Sequence, residues 1–330
     1  MKPTNYLVYI LFILLIFNFG CCKKSSSTDS KNNKAFNISY ESKSKLPDCS
    51  ELDSVLNGFD IELVDCPSGT FMMGSPSDEV GRGDDEFLHQ VTITKPFKIG
   101  KYEITIKQLE VITGKPYVKN FKFINDKSES EKNDSQEIFN KNIIPCVCSW
   151  NEANEFCQKL NIRFSEYIPK NYHFDLPTEA QLEYACRAGT TTAFNNGKNI
   201  SSIDPNEWKW NVSECVELND IAWYGFNSKV NNKNGKGFGY KIKPIGTKKP
   251  NNWGIYDMHG NMPEYCKDKY GPYLSKMNID PYNEKGGHSV VRGGFGTNFA
   301  RDCRSASRHR NQNSLDFPLA GFRIVLVSND

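Results

Sequence analysis

Apolar positions fall along the chain in short bursts rather than long periodic runs. An uncharged, mostly apolar stretch covers residues 6–19, and residues 22–45 are rich in Lys, Ser and Asn with almost no large apolar side chains. From Leu46 onward apolar residues return. Residues 59–64 and 70–73 read as short strands, with Pro67, Ser68 and Gly69 turning between them. Residues 91–93 and 97–99 predict two more strands, separated at Pro96. Ala153, Phe156, Cys157 and Leu160 recur at a helical period and predict a helix over 151–160. A second helix over 178–188 follows Leu176-Pro177, carries Glu179 and Glu183 early, and stops at Gly189. Polar stretches at 120–142 and 227–239 read as surface loops. The last hundred residues, dense in Gly, Asn, Trp and Tyr, predict irregular backbone with short strands. No repeat of 20 to 50 residues is visible, so residues 46–330 read as one α+β domain.

The N-terminal run alters this picture. It spans about 14 residues, short of the ~20 that a spanning helix needs. Lys2, the apolar core and Gly20 before Cys21 have the order of an export signal. The stretch is similar to a bacterial lipoprotein signal, and to the looser spirochaete type in particular, because Asn18 stands where Leu is commonest. That similarity implies cleavage after residue 20, lipidation of Cys21, and a flexible tether over 21–45 holding the domain off an outer membrane or cell surface. The alternative is an ordinary secretory peptide that contains two cysteines.

Charge adds an exclusion. Lys plus Arg is 41 and Asp plus Glu is 39, a net charge of +2. Nucleic-acid binders carry a clear basic excess, so no nucleic-acid partner is expected. Nine cysteines lie beyond Cys22, at wide and irregular spacings that do not match a zinc site. The odd number leaves at least one thiol unpaired within the chain.

Several segments occur in a specific order: Phe71-Met-Met-Gly-Ser75, His89-Gln-Val-Thr-Ile93, Ile99-Gly-Lys-Tyr-Glu-Ile104, Leu176-Pro-Thr-Glu-Ala180 and Tyr184-Ala-Cys-Arg-Ala-Gly-Thr190. Asn252-Trp-Gly-Ile-Tyr-Asp-Met258, Gly260-Asn261, Arg292-Gly-Gly294, Cys303-Arg-Ser-Ala306 and Gly321-Phe-Arg-Ile324 follow. Together they resemble the formylglycine-generating enzyme (sulfatase-modifying factor) family from about residue 59 to 327. The resemblance implies an α+β, C-type-lectin-like fold with much irregular structure. Fold alone does not fix activity. The family's oxidase binds copper with two cysteines five residues apart after the Gly-Gly pair, since soft thiolates select monovalent copper. Here residues 293–303 hold only Cys303, with Asn298 five positions earlier. Cys303 is catalytic, and copper a cofactor, only under an enzyme alternative. Within Cys-Arg-Ser-Ala it reads as structural, and the resemblance implies a disulfide to Cys266. A related branch that ligates iron through His needs an extra domain for which this chain has no room.

The resemblance also implies a structural calcium ion held by Asp257, the carbonyls of Gly260 and Met262, and Glu264, an oxygen set suited to that ion. The family's other calcium site meets Lys236 in place of its acid. Finally, residues 294–321 depart from the Asn-rich pattern of relatives, and the substituted residues are reachable from Asn codons by replacing adenines. This is similar to the variable proteins of diversity-generating retroelements. It implies a ligand surface of Phe295, Thr297, Asn298, Phe299, Asp302, Ser307, His309, Asn311, Asn313, Leu315, Phe317 and Leu319. Arg304 and Arg323, inside family motifs, read as buried pairs, and Arg308 and Arg310 as exposed. The combined expectation is a lipid-anchored surface protein binding a protein or glycan on a non-catalytic scaffold. The alternatives are an oxidase acting on exported sulfatase-type substrates and an unvaried structural lipoprotein.

Overall fold

The computed structural model describes residues 45–117, 140–204, 212–231, 238–240, 242–273, 278–311 and 320–329. All of them fall in one unit, Ile38–Asp330. The expected signal (1–20) and tether (21–45, apart from Lys45), with Cys21, lie outside the described residues, as does Lys236.

Among the described residues the order begins with α1 (Ser50–Asn57), β1 (Leu63–Cys66) and the hairpin β2 (Gly69–Met73) and β3 (His89–Ile93), then β4 (Phe97–Gly100) and α2 (Ile106–Thr113). α3 (Trp150–Arg163), β5 (Tyr172–Asp175) and α4 (Glu179–Arg187) follow. β6 (Lys229–Asn231), β7 (Phe238–Tyr240), β8 (Glu264–Lys269), β9 (Ser289–Arg292), β10 (Arg308–Arg310) and β11 (Val325–Ser328) complete the order, with a 3-10 turn at Ala300–Cys303. The sheets are small and antiparallel: β1-β4-β11-β5, β10-β9-β8, β2-β3 and β6-β7. Among the described residues no helix is long and apolar enough to cross a membrane.

Local chemistry explains the helices. Thr105 with Gln108, Ser149 with Glu152, and Thr178 with Gln181 each form a reciprocal capping box that satisfies two orphan donors. The predicted helices are α3 and α4, each shifted by a residue or a few at its ends. α1 was not predicted; it buries only Leu52 and Leu56. The strand expected over 59–64 begins instead at Leu63. Phe59 and Asp60 are spent on a turn that closes α1, and Asp60 has φ 56°. Within the expected 227–239 loop, β6 begins a short hairpin with β7.

Among the described residues the core forms three apolar groups. One joins α1, α2 and α3 to Phe322 and Ile324. A second lies among β2, β3, α4 and Val290. The third surrounds Phe194, Tyr224 and Cys303. Every cysteine among the described residues is buried and outside any disulfide. Cys266 packs in the second group and Cys303 in the third, so the expected Cys266–Cys303 bridge is not formed.

Candidate functional site

The segment after β9 begins at a tight corner. Gly294 has φ 81°, and a Cβ there would lie 2.7 Å from Cys303 Sγ. A side chain is therefore excluded by both conformation and space. Asn298 closes the next turn: Phe295 N–H donates to its Oδ1 at 2.6 Å, and its own N–H donates to Phe295 O at 2.7 Å. Gly225 N–H donates to Asn298 O at 2.9 Å, tying the turn to the Tyr224 region. Phe299 leans on the third core group, and Arg301 lies 4.2 Å from its ring centroid. Asp302 caps this turn, its carboxylate accepting from Phe299 N–H at 3.3 Å.

Cys303 is fully buried, and burial pushes its thiol well above the ordinary range. Its carbonyl lies 2.6 Å from His259 Nδ1. Burial holds His259 down, at a pKa of about 4, so its ring is neutral and its Nε2 accepts from Asn195 N–H at 3.1 Å. Cys186 Sγ lies 3.7 Å from that same Nε2, and burial raises its thiol to about 11. These thiols are held protonated in the interior, the opposite of an activated nucleophile.

Beneath the segment lies a layer of buried ion pairs. Glu179, at the start of α4, accepts from Arg292 Nε at 3.1 Å and from Arg308 at 2.8 and 2.7 Å. Glu183 accepts from Gly74 N–H and Arg187 Nε, both at 2.9 Å. Arg292 also comes within 2.8 Å of Glu183 Oε2, out of line for a hydrogen bond. Arg304 grips Glu86 at 2.7 and 2.6 Å and Glu79 at 2.6 Å. Arg323 forks onto Glu264, both contacts at 2.6 Å. The expected burial of Arg304 and Arg323 is present. Arg308, expected at the surface, is buried because Glu179 claims it; Arg310 is exposed.

The predicted ligand residues divide accordingly. Phe295, Thr297, Asn298, Phe299, Asp302, His309 and Asn311 are half-buried and follow one another along the segment. Ser307 is buried, its hydroxyl 3.2 Å from His309 Nε2, and is not available to a ligand. Asn313, Leu315, Phe317 and Leu319 lie outside the described residues.

The residues of the expected calcium set, Asp257, Gly260, Met262 and Glu264, all lie among the described residues. Gly260 has φ 76°, and a Cβ there would strike Trp223 O at 2.1 Å, so the loop requires glycine. Asp257 is buried; its Oδ2 accepts from Gly246 N–H at 2.6 Å, while Oδ1 has no partner. A cation would satisfy that orphaned oxygen. Glu264 has both oxygens engaged by Arg323, and calcium needs six to eight oxygens. Glu103 stands close by, accepting from Asn261 Nδ2 at 2.8 Å and Met262 N–H at 3.0 Å. Among the described residues no three His, Cys, Asp or Glu side chains are grouped to hold a metal.

The small sheets, the Gly-Gly corner and the Arg–carboxylate pairs built from motif residues define a recognisable domain. The chain belongs to the sulfatase-modifying factor enzyme 1-like domain family, whose model matches residues 60–327. It is 26% identical over 185 residues to the formylglycine-generating enzyme of Streptomyces coelicolor, covering 53% of this chain and 50% of that protein. The chain spans from 20% to 61% of the length of the curated relatives it matches. PvdO from Pseudomonas aeruginosa superposes with a TM-score of 0.55 at 23% identity, over 80% of this chain and 93% of PvdO. Treponema denticola variable protein 1 does so with a TM-score of 0.55 at 22% identity, over 80% and 94%. These likenesses establish the α+β fold with small sheets and much irregular structure.

Proposed function

We propose that this chain is an exported, lipid-anchored ligand-binding protein that uses the family scaffold without cysteine-pair oxidation. The observation that carries the reading is the segment after Gly294. It holds one thiol, buried and protonated, while Asn298 spends its side-chain oxygen on Phe295 N–H. An amide and a buried thiol do not make the two-thiolate site that monovalent copper requires. The same segment carries half-buried aromatic, amide and acidic side chains on a rigid base, an arrangement suited to recognition. The fold shared with Treponema denticola variable protein 1 is the ground on which we extend to this chain the variability that its name states. The likeness to the Streptomyces coelicolor formylglycine-generating enzyme keeps the oxidase as the second reading.

One mass-spectrometric experiment tests both. Full-length protein is purified in detergent from a lipoprotein-processing host and weighed intact, then incubated with copper, reductant, oxygen and a peptide carrying Cys-x-Pro-x-Arg. Acyl chains on Cys21 and an unaltered peptide, beside a working oxidase control, are expected. An unacylated N-terminus ends the anchoring claim, and loss of mass at the peptide cysteine ends the binding-only claim.

A structural calcium ion at Asp257 belongs to the same proposal, because Oδ1 is buried without a partner. A cation there would share Glu264 with Arg323. Calcium is expected to raise the melting temperature and a chelator to lower it, by a few degrees. Identical melting in both would remove calcium from the proposal.

A further inference from the structure

One face of the β8-β9-β10 sheet gathers side chains that the scaffold argument leaves unused. The register sets Lys269 opposite Ser289, and Asn311 N–H donates to Ser289 O at 2.9 Å. His309 lies opposite Val291, itself opposite Tyr265, and Asn311 Nδ2 donates to Tyr265 OH at 2.6 Å. Cross-strand partners share a face, so Lys269, Ser289, Asn311 and His309 stand together. α3 adds Trp150, whose ring centroid is 4.3 Å from Lys269 Nζ.

Lys269 differs from the ion-paired lysines and, like Lys248 on Trp223, rests on an indole. Lys98 has Asp53 and Asp65, Lys101 has Glu62, and Lys267 has Asp175. Lys269 makes no ion pair among the described residues; its ammonium donates to Ser289 Oγ at 3.2 Å and rests on the indole. Partial burial lowers its pKa. Withdrawing an ammonium from water with no anion beside it is unfavourable, and a ligand anion would relieve the cost. The surrounding groups that reach the surface are an amide, an imidazole and an aromatic face. These suit the hydroxyls and C–H faces of a sugar ring, and a single cation suits one acidic group per sugar.

We propose that Lys269, held by the buried Ser289 and flanked by Asn311, forms a subsite for the carboxylate or sulfate of an acidic glycan. The inference rests on the ligand-binding reading and names the chemistry of that ligand.

Full-length protein is titrated by calorimetry and Trp fluorescence with a uronic-acid tetrasaccharide, a sulfated tetrasaccharide, a neutral tetrasaccharide and free sulfate. At least one acidic tetrasaccharide should bind about tenfold or more tightly than the neutral one, as a charged hydrogen bond implies. Lys269→Met should erase that preference, and Lys269→Arg should retain most of it. Equal binding of acidic and neutral sugars, no binding of either acidic sugar, or an unaffected Lys269→Met protein overturns the proposal. Free sulfate binding as tightly as the sugars overturns the glycan assignment. Turnover of the sulfatase-type peptide bears on the wider reading alone, and the lysine variants on this one, so the two failures are distinguishable.

Discussion

The arginines of the ion-pair layer and the half-buried surface above it share one stretch of chain, yet they obey opposite rules. Arg304 and Arg308 point inward and find Glu86, Glu79 and Glu179. Thr297, Asp302 and His309, between or beside them, are half-buried. Inward positions are fixed by partners more than a hundred residues away; outward ones answer mainly to local turns. A framework of this kind lets the outer residues change without disturbing the backbone that carries them. In such a protein stability and recognition are separable, residue by residue.

The sharpest test removes the hub of the inner set. Glu179→Ala would leave buried Arg292 with Glu183 and take from buried Arg308 the carboxylate it pairs with. Breaking a buried pair by deleting one partner costs about 3–5 kcal/mol. Urea unfolding should show that loss or a failure to fold, whereas Thr297→Ala should stay within about 0.5 kcal/mol of the parent. Comparable losses in the two variants would dissolve the distinction between layer and surface.

That distinction was only half legible in the residue pattern. α3 and α4 announce themselves through local signals, the period of Ala153, Phe156, Cys157 and Leu160 and the Leu176-Pro177 start with its Gly189 stop. α2 carries the same kind of capping box without such a pattern. The motif arginines Arg304 and Arg323 could be placed through the family resemblance. Arg308 could not, since Arg-His-Arg in β10 reads as a solvated edge until Glu179 is brought to it, 129 residues away in sequence. α1 was missed because two buried leucines make a weak period, and the strand over 59–64 was misplaced because Asp60 turns with positive φ. The Cys266–Cys303 pairing failed for a related reason: which thiols meet is decided by the packing of separate core groups. Lys269 carried no signal at all, as an unpaired lysine is recognisable only once its neighbours are known.

A finer test of the same layer uses proton linkage at its margin. Asp268 accepts from Glu179 N–H at 2.8 Å and Asn283 N–H at 2.9 Å, and burial, with Glu179 adding repulsion, raises its carboxyl from 3.8 to about 7. The folded form therefore holds a proton that the unfolded chain releases near pH 4. Between about pH 4 and pH 7 the unfolded state binds fewer protons, so this group makes stability fall as pH rises; above pH 7 its contribution is flat. Asp268→Asn keeps the shape but cannot titrate, and it turns one amide N–H toward a backbone donor. The variant should be less stable than the parent by about 1 kcal/mol at pH 5, and the gap should narrow by pH 8. Urea titrations of both proteins at pH 5, 6, 7 and 8 measure that gap. If the difference stays constant, Asp268 is ionised across the whole range, and the margin of the layer behaves like its solvated surface rather than like its interior.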